Sequence, residues 1–162
     1  MENGPKMEKW APYAGFVLLA LAVGGLSGWL TRDGVELYNQ TAQKPPLSPP
    51  GWVFPVVWSV LYVLMGLGAA RVYLAPPSEA RRRGLGIFLL QLGFNFFWSI
   101  LFFGLGRYGL ALLWLLVMLG LIAAMIRLFS QVDRKAARLQ IPYLLWVLFA
   151  AYLNAGVFFL NS

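Results

Sequence analysis

Residues 84–106 read GLGIFLLQLGFNFFWSILFFGLG, 23 positions without a single charge. An α-helix needs about 20 largely apolar residues to cross ~30 Å of hydrocarbon, and this run is long enough. Four more uncharged runs occupy 10–31, 45–70, 108–126 and 139–162. All 19 charged residues of the 162-residue chain fall in the 48 positions outside these runs. Charged residues make up 12% of the chain, half the roughly 25% of a soluble domain, and mean hydropathy is +0.69. The short alternating segments of a membrane β-barrel are absent. The composition therefore predicts an all-α integral membrane protein, a five-transmembrane-helix bundle. Its helices are expected at 10–31, 51–74, 84–106, 108–128 and 139–160, in one membrane domain spanning 1–162.

The net charge of +7 reports topology. Counted over alternate connections, ten Lys and Arg residues lie on one side and three, Arg32, Lys44 and Arg107, on the other. The positive-inside rule then puts the N-terminus in the cytoplasm. Basic residues at those ends suit anionic lipid headgroups. A nucleic-acid partner would want a basic face interleaved with exposed aromatics, and no such pattern occurs. Ala20-Leu21-Ala22 resembles a signal-peptidase site. The uncharged run continues past it to Trp29, and Glu2 and Glu8 spoil a basic leader, so the segment reads as a span. With no Cys and no His, the chain offers no Cys/His metal site, disulfide, thiol nucleophile or histidine general base. No metal and no required cofactor are expected.

The connections differ in kind. Ser78 and Glu79 after Pro76-Pro77 read as a helix start, Gly106-Arg107 as a tight turn, and Asp133 as a cap for the fifth helix or its lead-in. The long connection 32–50 ends in Lys44-Pro45-Pro46-Leu47-Ser48-Pro49-Pro50. Prolines lack N–H donors and restrict the residue before them, so this stretch is expected to be extended and stiff. It reads as a lid carrying Lys44, Pro45, Pro46, Leu47, Pro49 and Pro50.

No acid or base lies inside a span, which argues against a proton-coupled transporter. Polar and aromatic residues nevertheless repeat at helical spacing. Gln91, Asn95 and Trp98 share one face of the third helix, Trp58, Tyr62 and Met65 one of the second, and Trp146, Ala150 and Asn154 one of the fifth. Such faces serve either as interhelical glue or as the wall of a mostly apolar ligand cavity. Trp10, Trp29 and Trp52 stand near run ends, where interfacial belts are expected. Trp114 reads as packing or lipid-facing. Ala20, Gly24 and Gly28 form a small-residue ridge for close helix approach, within the bundle or between subunits.

Several motifs agree in order and spacing with one family. Lys44-Pro45-Pro46-Leu47-Ser48-Pro49-Pro50-Gly51-Trp52-Val53-Phe54-Pro55-Val56-Val57-Trp58, followed by Leu61-Tyr62 and Met65-Gly66, resembles the TspO/MBR family. This is the family of tryptophan-rich sensory proteins, translocator proteins and peripheral-type benzodiazepine receptors. Gln91-Leu92, Phe94-Asn95, Trp98 and Phe102-Phe103-Gly104 resemble its third helix, and Pro142-Tyr143-Leu144, Trp146 and Leu153-Asn154 its fifth. The resemblance implies a ligand site between helices 2, 3 and 5 under the loop after helix 1. It implies binding of tetrapyrroles such as protoporphyrin IX and other flat hydrophobic molecules, by a homodimer of bacterial type. Trp58, Asn95, Trp98, Trp146 and Ala150 are the pocket-lining positions it carries over, with Gln91 a neighbour rather than a direct contact, and Tyr62, on the face of Trp58, completes the ligand-binding set. The same resemblance implies a bacterial cell membrane. Pro46-Leu47 stands where many relatives have an aromatic, and Ala155 replaces the Tyr of the animal sterol motif.

Three functions fit. The first is a membrane receptor, sensor or carrier for tetrapyrroles. The second is an enzyme for light-dependent porphyrin breakdown, with Trp58 and Trp146 as its catalytic candidates. The third is a small exporter or a structural membrane subunit.

Overall fold

The computed structural model describes residues 4–162, with side chains from Lys9 onward. Glu2, Lys6 and Glu8, used above to read the leader and the charge count, lie outside the described residues or side chains. The described chain is helical, with helices α1 (Gly4–Leu30), α2 (Arg32–Thr41), α3 (Val53–Tyr73), α4 (Glu79–Ser99), α5 (Tyr108–Val132), α6 (Arg134–Leu139) and α7 (Ile141–Leu160). Five stretches are long and apolar enough to cross a membrane: Lys9–Leu30, Val53–Tyr73, Glu79–Gly104, Tyr108–Val132 and Arg134–Leu160. The protein is an integral membrane bundle.

Packing closes these spans into a ring. α1 lies along α3, α3 meets α6 and α7, α7 packs on α5, α5 on α4, and α4 returns to α1. Large apolar side chains such as Leu18, Leu89, Leu113, Val117 and Leu145 point outward, while Gln91, Asn95, Gln140 and Asn154 are buried. Hydrocarbon outside makes that arrangement favourable, because polar groups must find partners within the protein. Ser27 Oγ on α1 donates to the Phe96 carbonyl on α4 at 3.2 Å, one such partner. Trp114 also packs inward, its ring stacked on Phe94 at 4.2 Å and its N–H donated to the Phe94 carbonyl at 2.8 Å.

The small-residue ridge acts within the bundle. Ala20 is fully buried and a Cβ at Gly24 would run into the Tyr62 ring, so α1 and α3 touch there. Gly66 answers from α3, where a Cβ would fall 2.5 Å from Val17 Cα. Gly28, at the end of the ridge, has open space in front of it instead.

The charged ends are tied by side chains. Ser78 Oγ accepts from the Arg81 N–H at 3.1 Å and starts α4 ahead of the uncharged run, with Glu79 paired to Arg82 and Arg83. Asp133 caps the lead-in helix α6, accepting from the Lys135 N–H at 2.8 Å, and pairs with Arg71 at 2.9 Å. Burial is the largest single influence on the Asp133 carboxyl and pushes its pKa up. The backbone N–H groups of Lys135 and Ala136 and the Arg71 guanidinium together outweigh it and hold the pKa below the ordinary value. A depressed folded pKa contributes stability that is complete above the unfolded value and lost as pH falls through the folded one. Asp133→Ala is expected to cost about 1–2 kcal/mol from cap and pair together. Its melting temperature should converge with the wild type only as pH falls below the ordinary carboxyl value of about 3.9 and on through the lower folded one, where the wild type loses its carboxylate too; equal melting at neutral pH would contradict the assignment.

The connection after α1 differs from the expected extended loop. Residues 32–41 form the helix α2, and only 42–50 are irregular. The prolines begin at Pro45, so nothing before them forbids a helix. Asp33 sits in the first turn, where a negative charge is favoured, and Val35 and Tyr38 recur at i and i+3 facing the bundle. α2 docks on an unusual end of α4. Residues Ile100–Gly104 widen into a π-turn, with the Leu105 N–H bonded to the Ile100 carbonyl at 2.8 Å. The extra residue turns both Phe102 and Phe103 toward the lid, where their rings lie 5.3 and 5.2 Å from Tyr38. Gly34 lets α2 come down on the Phe103 carbonyl, a position no Cβ could share.

Candidate ligand cavity

Under α2, at the end of the bundle bearing Arg32, Lys44 and Arg107, a cavity of about 400 Å³ opens between α1, α3, α4 and α7. That volume is within the roughly 300–1,000 Å³ of small-molecule sites. Trp58, Tyr62, Asn95, Trp98, Trp146 and Ala150 all line it. Aromatic rings supply most of the wall. Trp58 stacks on Tyr62 at 5.7 Å, Trp98 stacks on Phe102 at 5.2 Å, and Phe54 meets Trp146 edge to face at 5.9 Å. Among the described residues, no charged side chain lines the cavity, and no cluster of acidic side chains could hold a metal.

Gln91 does not reach the cavity. It is fully buried behind the wall and belongs to a hydrogen-bonded chain. The Tyr62 hydroxyl donates to Asn95 Oδ1 at 2.7 Å, and Asn95 Nδ2 donates to the Tyr143 hydroxyl at 2.9 Å. Tyr143 in turn donates to Gln91 Oε1 at 2.7 Å, and Gln91 Nε2 ends the chain on the Phe88 carbonyl at 3.0 Å. Gln91 therefore positions the wall from behind through Tyr143, a residue whose spacing alone gave no sign of this. Asn95 is largely occupied by its two tyrosines, which leaves it a smaller role as a ligand's polar handle. The other amide, Asn154, accepts from Trp98 Nε1 at 3.0 Å and donates to the Tyr108 carbonyl at 2.9 Å, fixing the Trp98 ring.

Tyr143→Phe would leave Asn95 Nδ2 and Gln91 Oε1 unpaired. The expected cost is roughly 1–2 kcal/mol, intermediate between soluble-protein orphans and the weaker couplings measured in membranes. Adding Gln91→Leu should restore part of it, because an apolar pair has nothing left to satisfy. Thermal unfolding of the single and double variants checks this, and additive losses would contradict the network.

Trp146 differs from the other indoles. Its Nε1 is buried and has no hydrogen-bond partner among the described residues. A buried unmade donor costs about 1–3 kcal/mol, and such groups call for an explanation in the function of the site.

The stretch expected to be the lid divides into a roof and a strap. The roof is α2, which contributes Val35, Tyr38 and Asn39 to the cavity, together with Gly51 and Phe54 beyond the prolines. Burial pushes the Tyr38 phenol up to about 12, with Tyr108 adding to the effect, so the phenol that α2 presents to the cavity stays neutral at any ordinary pH. Lys44 rests its ammonium 5.1 Å over the Tyr38 ring. Lys44, Pro45, Pro46, Leu47, Pro49 and Pro50 do not line the cavity. They form part of a strap onto α7 instead. Pro45 is buried against Gly156, the Tyr152 hydroxyl donates to the Pro46 carbonyl at 2.7 Å, and the Asn161 amide bonds both the N–H and the carbonyl of Gln43. Leu47 turns the strap with φ at 71°, a left-handed conformation that favours Gly or Asn. It is 82% exposed.

α1 is the wall that the polar faces did not announce. Gly24, Gly25, Ser27, Gly28 and Thr31 all border the cavity. Glycines give no periodic signal of their own, and a ridge of them reads first as packing.

The chain matches the TspO/MBR family profile over residues 16–160. It is 37% identical over 150 residues to the tryptophan-rich protein TspO of Chlorobaculum tepidum, covering 88% of this chain and 91% of that protein. It is 38% identical over 152 residues to the tryptophan-rich sensory protein of Cereibacter sphaeroides, covering 94% and 92%. The translocator protein of Bos taurus is 38% identical over 147 residues, covering 90% and 87%.

Proposed function

The chain belongs to the TspO/MBR family of membrane proteins, and we propose that it is a membrane receptor, sensor or carrier that binds a tetrapyrrole or similar flat hydrophobic molecule in the cavity under α2. The observation that carries this reading is the wall itself. Planar rings from Trp58, Tyr62, Trp98, Phe102 and Trp146 border an uncharged space, and stacking against a flat apolar ligand is the interaction they offer. The Trp146 N–H adds a polar preference, because a ligand acceptor that met it after a turn of the ring would remove a buried orphan. The Tyr62–Asn95–Tyr143–Gln91 chain keeps the wall in place before the ligand arrives. A homodimer, and an orientation with the ten-residue basic side in the cytoplasm, belong to the same proposal.

The test is titration of detergent-purified protein with protoporphyrin IX in the dark, read through intrinsic tryptophan fluorescence and the porphyrin spectrum. Saturable quenching supports the reading. Quenching that only tracks detergent partitioning sinks it.

A second reading keeps the same site and adds chemistry. Trp58 stacks on Tyr62, and Tyr62 leads into a hydrogen-bonded phenol, Tyr143, so oxidisable rings stand both at the cavity and behind it. Indoles and phenols can donate electrons to a light-excited macrocycle, with dioxygen as the oxidant, and the photochemistry is supplied by the ligand. Illuminating the loaded sample decides it: a new absorbing product that Trp146→Phe fails to make favours the enzyme, and an unchanged spectrum favours the receptor or carrier.

A further inference from the structure

Between α1 and α3 the cavity is walled by residues that are themselves exposed. α1 and α3 touch where Gly24 meets Tyr62 and where Gly66 meets Val17. Toward the lid end, the residues they present are Gly25 and Gly28 on α1 and Pro55 and Ser59 on α3. All four line the cavity, and all four are exposed. At Gly25 and Gly28, no atom stands within 4 Å of the place a Cβ would occupy. These residues belong to the spans Lys9–Leu30 and Val53–Tyr73, so the surface they leave uncovered faces the cavity on one side and the bilayer on the other. The hydroxyl of Ser59 is already donated to the Pro55 carbonyl at 2.7 Å, so this wall carries no polar group that demands water.

The level of this wall is marked by its neighbours. Trp29 and Trp52, both exposed, flank it at the ends of their spans, where aromatic belts meet the headgroups. Arg32 stands one helical turn beyond Gly28. Its guanidinium lies 4.6 Å over the Trp29 ring and donates to the Trp29 carbonyl at 2.6 Å. An exposed cation is thus held at the edge of an apolar wall, in the position an acid group at the membrane surface would occupy. The roof, by contrast, is fastened at both ends, by Tyr38 on the π-turn and by Asn161, Tyr152 and Gly156 on the strap.

We infer that the cavity is loaded sideways from the lid-side leaflet through a slot between α1 and α3, and that it selects a membrane-dissolved amphiphile whose acid group docks on Arg32 before its flat apolar body slides between the helices. The inference rests on the reading of the cavity as a ligand site, and it adds the route and the ligand's charge. Water-side entry past the roof is the alternative it replaces.

The test mixes proteoliposomes rapidly with protoporphyrin IX in the dark and follows association by stopped-flow quenching of tryptophan, with partitioning of the porphyrin into protein-free liposomes measured separately as the baseline. Because the chain has no Cys, Gln43→Cys with Asn161→Cys supplies one unique pair, joined by oxidation or by a short bismaleimide, that fastens the strap covalently. Fastening is expected to leave the association rate within about twofold. Ser59→Trp, or Ser59→Leu if the larger side chain unfolds the protein, should slow association and dissociation together, by about tenfold for Trp, because it raises a barrier common to both. Arg32→Gln should slow the free diacid about threefold or more and leave its dimethyl ester unaffected. A fastened strap that stops association, or a Ser59 variant with unchanged rates, overturns the sideways route. Equal effects of Arg32→Gln on acid and ester overturn the charge selection. If the unfastened wild type shows no saturable binding even at equilibrium, the ligand-site reading itself is what fails.

Discussion

Gly66→Val is expected to unfold the bundle or to lower its stability by about 3 kcal/mol, near the upper end of overpacking effects. Two forces oppose each other at this position. Replacing a mid-helix glycine by valine gains only about 0.3 kcal/mol of helix propensity, which on its own predicts a slightly stabilised α3. The first carbon of any side chain would, however, stand 2.5 Å from Val17 Cα and 2.6 Å from Val17 N. Those are backbone atoms of α1, which cannot swing aside as a side chain could. The helices must part, and the contacts that align α1 and α3 below the cavity are lost with them. Gly120 provides the control, since nothing lies within 4 Å of a Cβ there. Gly120→Ala should be neutral or slightly stabilising by thermal unfolding in detergent. A Gly66→Val protein that melts with the wild type would show that α1 and α3 are not packed through this glycine.

The second large effect is at Gly28, where stability and binding are expected to move in opposite directions. Leucine there trades a helix-weakening residue for a strong helix former, worth about 0.5–1 kcal/mol, and its Cβ meets no atom within 4 Å. The space it enters borders the cavity. Filling part of a site of about 400 Å³ should weaken a large flat ligand by about 2 kcal/mol or more, roughly thirtyfold in Kd. Gly25→Leu is the companion variant, from the same wall. Most substitutions that abolish binding also damage the fold, which makes their loss of function ambiguous. A variant that melts as high as the wild type and no longer binds has lost the space and nothing else.

Parts of this architecture were legible in the sequence. The five uncharged runs mark the spans because a charge inside hydrocarbon is costly, so blank stretches of helix length carry a strong signal. Charges tolerated in a capped first turn blur the edges: α4 begins at Glu79, ahead of the uncharged run, once Ser78 caps it. The spacing of Trp58 with Tyr62, of Asn95 with Trp98 and of Trp146 with Ala150 picked out faces that the fold brings around one cavity. Gln91 shared the face of Asn95 by spacing and yet lies behind the wall, because helical periodicity assigns a face without assigning a depth.

The less legible features depend on tertiary contacts. α2 is short and polar, and its reason to be helical is the landing site of Tyr38 on Phe102 and Phe103. That landing site depends on a π-turn, which no local preference announces. Tyr143 is the hub of the buried chain because it faces both Asn95 and Gln91 across the bundle, a relation between helices far apart in sequence. The prolines of the strap read as a stiff extended lid, and stiffness alone could not say that they fasten onto α7 beside the cavity.

The most direct test of the central claim is equilibrium titration of wild type and Gly28→Leu with protoporphyrin IX, in detergent and in the dark, alongside the melting temperature of each unliganded protein. The account predicts saturable binding by the wild type and binding at least about thirtyfold weaker by the variant, with the variant melting no lower. Equal binding by both proteins would contradict it and place the porphyrin somewhere other than the cavity beneath α2.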